Sequence, residues 1–224
     1  MAYPMSHLCV AKKIVDLSQG KIRDLPQFYL GNIAPDAVHF REDFTGVDKK
    51  ETHLCISDDA WGFVTNNDEW IEDVLSFLSS RVGSSDFDFY LGYCTHILTD
   101  ICNNINVWTA FRTEHPGEWD GKGYGDILHI EAAAVDLQLS QRFEAKKEVW
   151  DELEKSHIME IEGRVSKEEV DRIRTNILYI QYSGIEQQDT TKNKLVTHES
   201  TKRFIDLAVD FVMQHLRKIK EISF

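Results

Sequence analysis

The sequence predicts an all-α fold in a single domain spanning residues 1–224. Three observations carry that expectation. Nearly every periodic segment repeats its apolar residues at helical spacing. Strand signals are weak throughout. Only 4 Pro and 12 Gly interrupt the 224 residues, so long uninterrupted helices can form. No internal repeat and no linker divides the chain.

The elements follow in order. A first helix is expected over 6–17, with Leu8, Ala11, Ile14, Val15 and Leu17 on one stripe and Gly20 as the stop. In "LPQFYLGNIAPDAVHF", Pro26 suits a first helical turn, while Gly31 and Pro35 are read as breaks. The stretch 41–66 is polar with short apolar islands and reads as a long loop. "DEWIEDVLSFLSSRVG" reads as a helix capped by Asn67 or Asp68 and stopped by Gly83. Ser85 or Asp86 caps the next helix, expected to run to about 111 and to form the centre of the bundle. "EHPGEWDGKGYG" is a loop, and 126–143 and "AKKEVWDELEKSH" are helices. "SKEE" at 166–169 has capping-box spacing and opens a helix to about 182. "SGIEQQDTTKNK" is a polar loop, and 201–222 is an amphipathic helix.

Composition narrows the function. Hydrophobic residues make up 42% and charged residues 28%, as in a soluble globular protein. The formal net charge is −13, and no Lys/Arg cluster exceeds two residues, so duplex nucleic acid is not an expected partner. The acidity also disfavours charge-driven docking on anionic lipid. A phosphodiester held through metal ions stays open, because cations supply local positive charge. The N-terminus shows no secretory pattern and no apolar run is long enough to span a membrane. The expected place is the cytoplasm. Cys9, Cys55, Cys94 and Cys102 form no CxxC pair and are expected to be reduced, mostly core thiols.

The chemistry gathers around "LGYCTHILTD". His96 and Asp100 are four apart, hence on one helical face, among Leu91, Cys94, Ile97, Leu98 and Ile101. Gly92, one turn earlier, leaves space beside the pair. Two buried ionisable groups need compensation, either from each other or from an ion. Upstream, "APDAVH" offers Asp36 and His39, "KETHLC" offers His53, and "MSHLCVA" offers His7. Three His and two Asp make an N/O ligand set that suits zinc or a similar divalent metal.

"SHLCVA", "FYLGNIAPDAVH", "THL" and "FYLGYCTHILTD" resemble the zinc-dependent phospholipase C family, which is related in fold to the single-strand-specific zinc nucleases. The resemblance covers roughly residues 5–110. It implies a helical bundle of that type. It implies that Asp36, His53, His96 and Asp100 hold one zinc, that His7 binds a neighbouring ion bridged by Asp100, and that Asp36 is the base orienting the attacking water. The chain departs from the family in three places. It begins "MAYP" where secreted members present a processed Trp; Asn106 stands where a further His is expected; and His129 is followed by Ala133 where the pattern asks for Glu. His129 or Asp136 is the available substitute. One or two ions are therefore expected rather than three.

The expected function is a metal-dependent phosphoric-ester hydrolase, phospholipase C-like, cleaving a small phosphodiester or phospholipid by metal-activated water. Two alternatives stand beside it. An HD-type nucleotide phosphohydrolase also uses His and Asp from a helical core, but no adjacent His-Asp dipeptide occurs. A non-catalytic helical metal-binding protein is the other, with the charged helices of 144–180 available to a partner or simply solvated. His39 is read as a ligand, an outer donor or a packing group. His115, His157 and His198 are read as solvated, and His215 as a packing residue. Trp61 and Trp108 are candidates to line a pocket, with core packing as the default.

Overall fold

The computed structural model describes residues 2–115, 123–184 and 189–219. Its helices are α1 (Pro4–Leu17), α2 (Leu25–Ile33), α3 (Gly46–Thr52), α4 (Asn67–Ser79), α5 (Phe87–Asn103), α6 (Thr109–Glu114), α7 (Tyr124–Arg142), α8 (Lys146–Lys155), α9 (Lys167–Thr175) and α10 (His198–Leu216). Between the described helices the one extended pairing is an isolated bridge, Ile161 with Val165. The fold is all-α.

Local chemistry accounts for the helix starts. Pro4 opens α1, where its missing N–H costs nothing. Asp24 accepts from the Gln27 N–H ahead of α2. Asn66, one residue before the expected cap, accepts from the Glu69 N–H at α4. The Ser166–Glu169 capping box forms as the spacing predicts, and Thr197 with Ser200 caps α10 in the same way.

Four expectations need correction. The stretch 41–66 is not all loop: α3 lies inside it, started by reciprocal Thr45–Asp48 bonds. Gly31 does not break α2 but sits within it. The central helix does not run unbroken to 111; a π-helical turn, Asn104–Trp108, intervenes before α6. The space expected beside Gly92 is filled by α2. A Cβ on Gly92 would lie 2.0 Å from the Phe28 carbonyl oxygen, and one on Gly31 the same 2.0 Å from that of Phe89. The two glycines bring the helix backbones into contact.

α5 is the central helix, with α2, α4, α10 and α1 packed on it. One continuous core runs from Met5 to Ile219. The four cysteines are buried and unpaired, and burial pushes the Cys94 thiol upward, so it packs rather than reacts. The glycine-rich loop with Trp119 lies partly at 116–122, outside the described residues, as does 185–188 of the later polar loop. No helix among the described residues is long and apolar enough to cross a membrane.

Candidate metal centre

Five side chains predicted from the sequence meet at one place. His96 and Asp100 project from the buried face of α5, His7 from α1 and His53 from the C-terminus of α3. Asp36 comes from a tight 3₁₀ turn, Ala34–Phe40, that continues α2. His7, His53, His96 and Asp100 are almost wholly buried. Two overlapping groups can hold an ion: Asp36, His53 and His96, and His7, His96 and Asp100.

The backbone aims the rings. His96 donates from Nδ1 to the Asn32 carbonyl at 2.7 Å. His53 donates from Nδ1 to the Lys49 carbonyl at 3.0 Å, with Thr52 Oγ1 also 3.0 Å away. Both hydrogens are thus committed outward, and each ring turns the lone pair of Nε2 inward. These two Nε2 atoms are 3.3 Å apart. Two lone pairs at that distance repel unless a proton or a metal ion lies between them.

The carboxylates complete the set. Asp36 Oδ1 is 3.4 Å from His53 Nε2 and 3.5 Å from His96 Nε2. Asp100 Oδ2 is 3.4 Å and 3.8 Å from the same two atoms. A tetrahedral ion with bonds of about 2.0–2.1 Å sets its ligands about 3.3–3.4 Å apart. The separations of Asp36, His53 and His96 from one another, 3.3–3.5 Å, match that value, Asp100 stands up to 3.8 Å off, and the donor set fits a divalent ion. Asp100 Oδ1 faces the other way, accepting from the Ala2 N–H at 2.9 Å and lying 3.3 Å from His7 Nε2. The His7 ring stacks on that of His96 at 3.7 Å, and neither of its nitrogens makes a hydrogen bond.

The protonation states suit ligation. Burial alone would raise the Asp36 carboxyl, but the Lys49 ammonium and the histidines outweigh it and hold it well below the usual carboxylate range. Asp100 is likewise held low, against its burial, by the nearby His53, His7 and His96 rings. Burial, reinforced by His96, pushes His7 down to about 4. Ionised carboxylates and neutral imidazoles are the forms a metal takes.

Lys49, a residue sequence reasoning missed, is wholly buried beside the centre. Its ammonium pairs with Asp36 Oδ1 and lies 2.9 Å from His39 Nε2. In "DKKET" it carries no signal distinguishing it from a surface lysine. Trp70 was also missed as a support; its Nε1–H donates to the His53 carbonyl at 2.7 Å.

The remaining candidates separate clearly. Asp136 does not join the cluster. It accepts from the Met5 N–H at 2.9 Å and the Tyr182 hydroxyl at 2.5 Å, and so anchors the start of α1. His129 stands at the rim, its ring 5.0 Å from that of Trp108. Asn106 bonds back to the Cys102 carbonyl on its own helix. His39 is 42% exposed and faces Lys49. His157 is exposed and His215 is buried against Phe211, whereas His115 and His198 are half-buried rather than solvated. Trp61 and Trp108 do line a pocket. With Trp70 and Phe63 they form a cleft of about 170 Å³ that ends on Asp100. A second cavity, about 350 Å³, opens on Asp36 between Tyr3, His39 and His129. No family model, curated protein or solved structure matches the chain.

Proposed function

We propose that this chain is a zinc-dependent phosphoric-ester hydrolase that cleaves a small phosphodiester, phospholipid included. The observation that carries the reading is the pair of inward-facing nitrogens on His53 and His96, 3.3 Å apart with both Nδ1 hydrogens committed elsewhere. Asp36, His53, His96 and Asp100 would hold the principal ion, and His7 lies beside the far oxygen of Asp100 for a second. Zinc bound there would supply a Lewis acid for phosphoryl oxygens and a lowered pKa for water.

The chain's own groups do the rest. Asp36 opens onto the 350 Å³ cavity, and with Oδ1 engaged by Lys49 its Oδ2 is the acceptor left for a water proton. The tryptophan cleft on the Asp100 side gives the departing group an apolar, water-poor seat. Zinc content and hydrolysis of bis(p-nitrophenyl) phosphate test the reading together. His96→Ala is expected to remove both; retention of both would sink it. A nucleotide panel run beside the diester separates the HD-type alternative.

A second reading has one observation behind it. Four protein ligands around one position can close a tetrahedral site, as in structural zinc centres. X-ray absorption of the zinc-loaded protein distinguishes the two. A coordinated water supports hydrolysis, and four protein ligands alone support a non-catalytic metal-binding protein.

A further inference from the structure

A buried ammonium is tolerated only when charged or polar partners surround it. The partners of Lys49 Nζ are Asp36 Oδ1 and, at 2.9 Å, His39 Nε2. These two acceptors are 4.0 Å apart. That is wider than the edge of a tetrahedral zinc site but within the reach of two bonds of about 2.0–2.2 Å to one ion, so with the ammonium gone and a small closure the same two atoms have the chemistry to share one. The ammonium stands in that place. Asp36 Oδ1 is shared between it and the His53–His96 position, and the Lys49 carbonyl aims the His53 ring. One residue thus contacts two candidate ligands, Asp36 through its side chain and His53 through its main chain.

Charge points the same way. Asp36 and Asp100 bring two carboxylates to the cluster, and Lys49 brings one ammonium. An ion bonded to Asp36 and His39 would lie directly against the Lys49 ammonium, where like charges in a buried setting repel most strongly.

We infer that Lys49 is a built-in stand-in for a metal ion: its ammonium fills the position between Asp36 and His39, holds Asp36 toward the His53–His96 position, and keeps a further divalent ion out. This rests on the metal-centre reading above and makes Lys49 a positioning residue.

The test is zinc per folded chain, by elemental analysis after stripping, reloading with zinc sulfate and desalting. Lys49→Met is expected to hold one more zinc than wild type. Lys49→Arg, which keeps the charge, and the Lys49→Met/His39→Ala double variant are expected to hold the wild-type number. A folded Lys49→Met protein with the wild-type number or fewer overturns the inference. So does a gain that persists without His39. Should Lys49→Met fail to fold, anomalous diffraction from zinc-loaded wild-type crystals decides. Zinc beside His53 and His96 with Lys49 still on Asp36 supports the inference, and zinc between Asp36 and His39 overturns it. Wild-type protein that holds zinc but cleaves no diester would overturn the proposed activity and leave this inference standing; wild-type protein that holds none overturns both.

Discussion

Gly31 and Gly92 each press against the backbone of the other's helix where α2 crosses α5, Gly31 on Phe89 and Gly92 on Phe28, so that neither position has room for one more carbon. The crossing sets the depth at which Asn32 offers its carbonyl to His96. Neither obstructing atom belongs to a flexible side chain; both are backbone carbonyl oxygens. Gly92→Ala is therefore expected to cost about 3 kcal/mol or more, the upper end for an overpacked core. Urea unfolding measures it, and a loss below about 1 kcal/mol would show that the helices can separate freely.

Trp70 is the support behind His53. Trp70→Phe keeps most of the packing but leaves the buried His53 carbonyl unpaired, at about 1–3 kcal/mol. Zinc affinity should fall by about tenfold or more, as for other groups that orient a ligand from behind. Competition with a fluorescent chelator gives the affinity; an unchanged value would assign Trp70 to packing alone.

Asp136 predicts a pH dependence opposite to ordinary acid unfolding. Burial raises its carboxyl from 3.8 to about 7, against the pull of the Tyr182 hydroxyl and the Met5 and Ser6 N–H groups. The folded state then binds the proton more tightly than the unfolded chain does. Its contribution is fully present below about pH 4 and is lost as pH rises through about 7, by something of the order of 4 kcal/mol. Thermal unfolding of wild type and Asp136→Asn between pH 4 and 8 should show the wild-type slope flattened in the variant. Parallel slopes would count against this role.

Arg41 ties the turn that carries Asp36 to the rest of the bundle. It bonds Asp48 and Glu169 at 2.8 Å each and the Arg164 carbonyl at 2.7 Å. These groups are partly exposed, which screens them, so Arg41→Met should cost only about 1–2 kcal/mol. Denaturant midpoints in low and high salt test this, and a loss that vanishes in salt would reduce Arg41 to a surface charge.

Much of the fold is legible because most helices carry an apolar stripe or a cap. The Ser166–Glu169 box and the apolar stripe of α10 from Phe204 to Leu216 declare themselves, although the helix starts at His198 rather than at Thr201. α3 does not, because its buried residues are Lys49 and Thr52, and "GVDKKET" has no apolar face to read. The π-helical turn after Asn103 is hidden for another reason: apolar residues continue across it with nearly unchanged spacing. The cluster of candidate ligands was legible from the four-residue spacing of His96 and Asp100 and the apolar settings of the others. What aims those ligands was not, since it consists of main-chain carbonyls of Asn32 and Lys49, which no residue type reveals. Asp136 was misjudged as a possible ligand because a carboxylate that caps a distant helix looks, in sequence, like one that binds an ion.

The candidate ligands come from four separate stretches of the chain, at His7, Asp36, His53 and His96–Asp100. An ion seated among them acts as a cross-link, closing three successive loops within the N-terminal half and removing their freedom from the unfolded chain. α8, α9 and α10 contribute no candidate ligand and are held by packing and by ion pairs away from the centre, such as Glu169 with Arg41 and Asp206 with Lys13. Stripping the ion should therefore loosen the chain unevenly. Amide exchange is expected to quicken in α1, the Asp36 turn and α3 while α8 and α10 keep their protection, so that the metal governs the order in which the halves of one core come apart.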